Sequence, residues 1–146
     1  MAATRSDFCA LRAALVLGMG LLCAGPLAAQ DPRASAVQEI ARGWLSETDR
    51  GDAAQSWKNA GKQFRNAITV ERWAESLKAA RAPLGALSQR AQIGTQFHKS
   101  IPGAPDGDYA IVLFRTTFAK KLNSRETVTL EHEPDGAWRV IGYLIQ

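Results

Sequence analysis

Past residue 30 this chain has no cysteine. Its only two, Cys9 and Cys23, stand within the first thirty of 146 residues. Without that leader it can form no disulfide, no thiolate nucleophile and no cysteine–metal bond. Histidine is almost as scarce. His98 and His132 stand at no ligand spacing on different expected strands, whereas zinc usually takes three or four His, Cys or acidic ligands. Asp106 and Asp108 frame a Pro-Asp-Gly-Asp stretch that reads as a turn before it reads as a calcium loop. No metal and no cofactor is therefore expected. There is also no Gly-x-Ser-x-Gly, and no phosphate-binding glycine loop beyond the leader. No run of like charge exceeds the pair Lys120-Lys121. The net charge of +4 becomes +3 once Arg5, Arg12 and Asp7 are set aside. A mild excess of that size is no nucleic-acid footprint.

What is present begins with a leader. Arg5 and Arg12 precede the apolar run AALVLGMGLLCAG, and Pro26-Leu27-Ala28-Ala29-Gln30 closes it with small residues. That is the n-, h- and c-region order of a secretory signal peptide. The run is too short for the ~20 residues that span a bilayer. Cleavage is expected after Ala29 or after Gln30, which leaves no transmembrane span and places the protein in the periplasm or outside the cell. Cys23 follows Leu22, which is not the small residue that precedes a lipidated cysteine, so lipidation is not expected. Residues 31–146 then form one domain, about 116 residues that must be stabilised by their core alone.

Three helices are expected first. Residues 35–50 place Val37, Ile40, Ala41, Trp44 and Leu45 on one stripe, with Ser35 as N-cap and Gly51 as terminator. Asp52 caps a second helix to about Phe64, with Ala53, Ala54, Trp57, Ala60, Gly61 and Phe64 on one face. Thr69 caps a third, which ends near Arg81 before Pro83 and Gly85. The tryptophans on these stripes read as core. From residue 86 the period becomes two. Leu87, Ala91, Ile93 and Phe97 alternate with polar residues in a first strand. Residues 108–145 then read as a three-stranded meander with turns at 120–124 and 134–136. Its first strand is apolar on both faces, with Ala110, Val112, Phe114, Thr116 and Phe118 on one and Tyr109, Ile111 and Leu113 on the other. Its second puts Glu126, Val128, Leu130 and His132 on one face. Its third sets Trp138, Val140 and Leu144 against Arg139, Ile141, Tyr143 and Ile145.

Helices ahead of an antiparallel meander make an α+β fold, three helices on a curved four-stranded sheet. By analogy this is a nuclear-transport-factor-like or cystatin-like cone. The residues carry a resemblance as well. Trp44-Leu45, Ser56-Trp57, Phe64, Trp73, the block Arg81-Ala82-Pro83-Leu84-Gly85 with Arg90, the loop Pro102 to Gly107, Phe118, Glu126 and the ending Trp138-Arg139-Val140-Ile141-Gly142-Tyr143 together resemble the bacterial domain of unknown function 4019 family. The resemblance spans nearly all of the mature chain. It implies a small exported protein and supplies neither activity nor site residues.

Three readings of function remain open. The first is an exported cell-envelope binding or accessory module, a homodimer if the Tyr109, Ile111 and Leu113 row on the outer sheet face is exposed. The second is a small-molecule-binding pocket or weak acid/base enzyme within the cone. Its candidates are Glu126, His132 and Asp108, followed by His98, Tyr109 and Tyr143, with burial as the means of raising a carboxyl pKa. The third is a purely structural envelope protein. Arg81 and Arg90 flank the helix-to-strand corner, where two guanidinium forks could hold an anion. Pairing with a carboxylate such as Glu126 explains them better, since half-buried charges are normally paired. The leader is tested by mass spectrometry of the exported protein. The expected mature chain starts at Gln30 or Asp31, and a chain that keeps Met1 sinks the assignment.

Overall fold

The computed structural model describes residues 31–146; the leader read at residues 1–30 lies outside them. Four helices precede four strands: α1 Arg33–Asp49, α2 Ala53–Asn59, α3 Lys62–Ala67, α4 Val70–Arg81, β1 Leu87–His98, β2 Tyr109–Phe118, β3 Lys121–His132 and β4 Trp138–Ile145. The strands form one antiparallel sheet in the order β1-β2-β3-β4. The fold is α+β, with the helices packed on one face of an open meander.

Local chemistry explains most helix boundaries. α1 starts two residues earlier than expected, at Arg33, where the Asp31 carboxylate accepts the Arg33 N–H at 2.9 Å. It ends in a Schellman arrangement. Gly51, at φ +71°, donates to the Thr48 carbonyl at 3.0 Å, and Asp52 donates to Glu47 at 3.0 Å. Asp52 then caps α2 by accepting from Gln55 N–H at 3.0 Å, and Thr69 caps α4 by accepting from Arg72 N–H at 3.3 Å.

The single helix expected from Ala53 to Phe64 is two. The chain breaks at Ala60-Gly61, where both residues are extended. The reason is tertiary: Gly61 N–H donates to the Val140 carbonyl at 2.7 Å, and Lys62 N–H donates to Glu133 Oε1 at 2.6 Å. The first bond draws the backbone onto the edge of β4, and the second ties it to Glu133, just past the end of β3. Ala54, expected on the inner face, is exposed, and Trp57 is half-buried, its Nε1–H donating to the Ile68 carbonyl at 2.8 Å.

The core lies between α1, α4 and the inner sheet face. Val37, Ala41, Trp44 and Leu45 of α1 and Trp73 and Leu77 of α4 meet Ala110, Val112, Phe114, Val128, Leu130 and Val140. Ile40, expected on the α1 stripe, is 36% exposed. Trp44, Phe64, Trp73 and Tyr143 pack as an aromatic cluster, with neighbouring ring centroids 5.0–6.4 Å apart. Such contacts add to what burial of the rings already contributes. Ser56 satisfies two indoles at once. Trp44 Nε1–H donates to its carbonyl at 2.8 Å, and Trp73 Nε1–H donates to its hydroxyl at 2.9 Å.

The edge strands depart from simple alternation. In β1, Gln92 pairs with Phe114 and Gly94 with Leu113, so Ile93 is an extra, bulged residue. In β4, Gly142 pairs with Thr129 and Val140 with Leu130, so Ile141 is bulged in the same way. A bulge swaps the faces of everything beyond it. Ile93, expected in the core, is 45% exposed, while Arg90 and Gln92 turn inward; a second shift between Leu87 and Gln89 returns Leu87 to the side of its partner Phe118, and at the strand's start it is 36% exposed. Leu144 is likewise 52% exposed, and Tyr143 joins the core.

Gly61 tests this account of the helix break. A Cβ built there would stand 2.9 Å from Ile141 Cγ2 and 3.0 Å from Glu133 Oε1. Gly61→Ala should destabilise the protein by about 1–3 kcal/mol, the usual range for overpacking. Urea unfolding gives the number, and an unchanged midpoint would refute the close approach.

Candidate functional site

At the corner where the helices meet the sheet, four charges and two hydroxyls come together. Asp49 is the last residue of α1 and Arg81 the last of α4. Arg90 is on β1, Thr116 on β2, Glu126 on β3 and Tyr143 on β4. Arg90 is the hub. Its Nη1 and Nη2 donate to the two Asp49 oxygens at 2.7 and 2.9 Å. Its Nε and Nη2 donate to the two Glu126 oxygens at 2.6 and 3.1 Å. Arg81 Nη2 donates to Asp49 Oδ1 at 2.5 Å, and Arg81 Nη1 donates to the Tyr143 hydroxyl at 3.3 Å. The Arg81 guanidinium also lies 4.7 Å from the Phe118 ring centre. The hydroxyls of Tyr143 and Thr116 each donate to Glu126 at 2.5 Å.

Burial sets the electrostatics. The Glu126 side chain is wholly buried, and those of Asp49, Arg81 and Arg90 are 16%, 13% and 12% exposed. Partial burial works against the Asp49 charge, but hydrogen bonds from Arg90 and Arg81 overcome it and hold the carboxyl below its ordinary range. Burial likewise works against the Arg90 charge, yet bonds to Asp49 and Glu126 raise its pKa further above neutrality. Burial pushes the Tyr143 hydroxyl up, and the Glu126 carboxylate beside it pushes the same way, so Tyr143 stays protonated and donates.

Two positive and two negative groups cancel, and every Glu126 lone pair in reach has a donor. With donors and acceptors matched to one another, the arrangement holds six chain segments in one geometry. Arg81 and Arg90 are therefore paired with carboxylates, and their forks are not free to clamp an anion between them.

The remaining sequence candidates lie elsewhere. His132 is six residues along β3 from Glu126, roughly 20 Å at strand spacing. It is exposed, with Nε2 3.0 Å from the Gly136 carbonyl and its ring 4.9 Å from that of Trp138. Asp108 is at that same end, ion-paired with Lys99, which lowers its pKa. His98 is exposed beside Gln96. Tyr109, expected on an exposed row, is 1% exposed. Its hydroxyl donates to the Pro105 carbonyl at 2.6 Å, and its ring lies against Gly107, so the loop before β2 folds over it. It leaves the outer-face row. Glu133, also buried, takes Lys62 N–H and the Arg139 guanidinium at 2.6 Å each and closes the far end of the sheet. Among the described residues no three His, Cys, Asp or Glu gather as a metal site, and no helix is long and apolar enough to cross a membrane.

Asp49 and Thr116 were not singled out in the sequence. Asp49 had a signal: it is an acid in the last turn of a helix, against the preference of the helix dipole. An acid placed there needs a cation from outside the helix.

The fold and this corner define a class: a small α+β domain whose helix bundle is bolted to an antiparallel meander by a buried ion-pair cluster. The chain belongs to the family described as "Protein of unknown function (DUF4019)", whose sequence profile matches residues 40–143. No curated protein and no solved structure matches it.

The cluster should show in acid. The Asp49 carboxyl titrates lower in the folded chain than in the unfolded one, near 3.9. Its stabilising share is complete above that value and disappears as pH falls through the lower folded pKa. Asp49→Asn should therefore remove about 3 kcal/mol at neutral pH. Urea unfolding from neutral pH into acid should also give the variant a shallower loss of stability than the unmodified protein. Parallel acid limbs would refute the role given to Asp49.

Proposed function

We propose that this protein is an exported cell-envelope module, a binding or accessory domain that works as a homodimer through the outer face of its sheet. Export is supported by the leader pattern at residues 1–30. The acid/base alternative is weakened by Glu126, the buried inward carboxylate of the sheet, which is already held by Arg90, Tyr143 and Thr116.

The observation that carries the reading is an apolar band across the outer face. Ile93 stands beside Gly94, which pairs with Leu113; Leu113 pairs with Thr127, and Thr127 with Leu144. Ile93 and Leu144, at the two ends of this row, are among the most exposed large apolar residues. Ile111 and Thr129 form the next row. A contiguous apolar patch on a sheet face marks a contact surface. Its two ends differ in charge. Arg115 and Arg125 face one another at one end and Glu131 lies at the other. None of the three forms an ion pair among the described residues. A two-fold axis through the Ile111 and Leu113 rows sets the arginines of one copy over Glu131 of the next. One surface then satisfies itself in both apolar and charged contacts, which is what an isologous dimer requires.

Light scattering on the exported protein should give twice the mass of the mature chain. Leu113→Lys combined with Leu144→Lys should give a monomer with unchanged helix and strand content. A strict monomer of the unmodified protein at high concentration sinks the dimer.

A further inference from the structure

A second surface shares no residue with the outer-face band. At the corner between α1, α4 and the start of β1 lies an open groove of about 590 Å³, within the ~300–1,000 Å³ of small-ligand sites. Its walls are small and apolar. Ala53 and Leu77 form buried parts of it, at 8% and 3% exposure, while Ala74, Ala82 and Ala86 are exposed. Ala74 is a solvent-facing position of α4, where a polar or charged side chain is usual, and there and at Ala82 and Ala86 beyond the helix end the groove meets only methyl groups.

The rim is cationic. Lys78 and Arg81 line the groove. Lys120 joins them, because its Cγ stands 3.3 Å from where a Cβ on Gly85, another lining residue, would be. Neither lysine forms an ion pair among the described residues. Asp49 is the carboxylate lining the groove, and Arg81 and Arg90 already neutralise it. An apolar trough thus runs beside two ammonium groups with no counter-charge.

We infer that this groove binds an amphipathic anion, a single acyl or aryl chain bearing one carboxylate or phosphate. The chain lies along Ala74, Leu77, Ala82 and Ala86. The headgroup sits between Lys78 and Lys120, where a compact anion replaces the missing counter-charge. A cationic amphiphile would bury the same methylenes but meet like charge. A bare anion would find the lysines but gain nothing from the trough. The groove lies outside the aromatic cluster and borders the ion-pair network, with which it shares Asp49 and Arg81.

The test uses the mature exported protein and calorimetry with dodecanoate below its micelle concentration. Dodecyltrimethylammonium serves as the opposite-charge control and inorganic phosphate as the headgroup alone. Dodecanoate should bind saturably at one site per chain, and the two controls should not. Lys78→Glu with Lys120→Glu should weaken dodecanoate by roughly tenfold or more, which is at least 1.4 kcal/mol. Ala74→Trp should fill the trough and abolish binding, with the unfolding midpoint unchanged in both variants. Co-sedimentation with phosphatidylglycerol vesicles, lost in Ala74→Trp, assigns the headgroup to a lipid surface. Dodecanoate binding without co-sedimentation assigns it to a free acid. The inference falls if dodecanoate does not saturate, if dodecyltrimethylammonium binds equally, or if Ala74→Trp binds as before. Leu113→Lys with Leu144→Lys should bind dodecanoate normally, so loss of the dimer and loss of this site are read separately.

Discussion

The Arg90 guanidinium, held between Asp49 and Glu126, is the contact on which the rest of the structure depends. It ties the end of α1 to β1 and β3. Through Asp49 it reaches Arg81 at the end of α4, and through Glu126 it reaches Thr116 and Tyr143 on the other two strands. Helix-on-sheet packing by apolar contact alone would tolerate sliding, because dispersion and burial are not directional. Bidentate guanidinium–carboxylate bonds are directional, and fix where each helix ends on the sheet. Desolvation offsets much of the attraction between buried charges. What the cluster adds is one defined geometry, and loss of any one of its four charges leaves a buried charge uncompensated.

Two bulges make that contact reachable. Strict alternation along β1 would put Arg90 on the opposite face from Phe97, and along β4 would put Tyr143 opposite Val140. The extra residues Ile93 and Ile141 reverse the phase, so that Arg90, Phe97, Val140 and Tyr143 all face the helices. Each edge strand spends its apolar isoleucine at the bulge, outside the core. Edge strands carry such irregularities commonly, since a bulge also disrupts the free hydrogen-bonding edge. Here one device shapes the edge and delivers a polar side chain to Glu126.

The same economy bears on function. The sheet interior is filled by aromatic rings and neutralised charges, and both proposed contacts lie on the surface. The bulge that turns Arg90 inward leaves Ile93 at one end of the outer apolar band, and the reversal in β4 puts Leu144 at the other. The Schellman turn that ends α1 at Asp49 also forms one wall of the alanine-lined groove. Both surfaces are consequences of how the ion-pair corner is built.

Much of the fold was legible in the chain itself. Helical spacing marked α1 and α4, Asp52 and Thr69 marked the caps of α2 and α4, and period-two runs marked four strands in meander order. Those signals are local, written within a few residues by backbone sterics and hydrogen-bond geometry. The inward face of Glu126 was legible for the same reason, since β3 has no bulge along that stretch. The sequence did not show the helix break at Gly61, the burial of Tyr109, or the pairing of Asp49 with Arg81 and Arg90. The break and the pairing depend on partners far along the chain: Val140 and Glu133 for Gly61, α4 and β1 for Asp49; Tyr109 is buried by the fold-back of the loop at Pro105 just before it. A single extra residue in an edge strand reverses a face without altering composition or local propensity. Only the register with the neighbouring strand, a tertiary fact, decides which side of the sheet a side chain occupies.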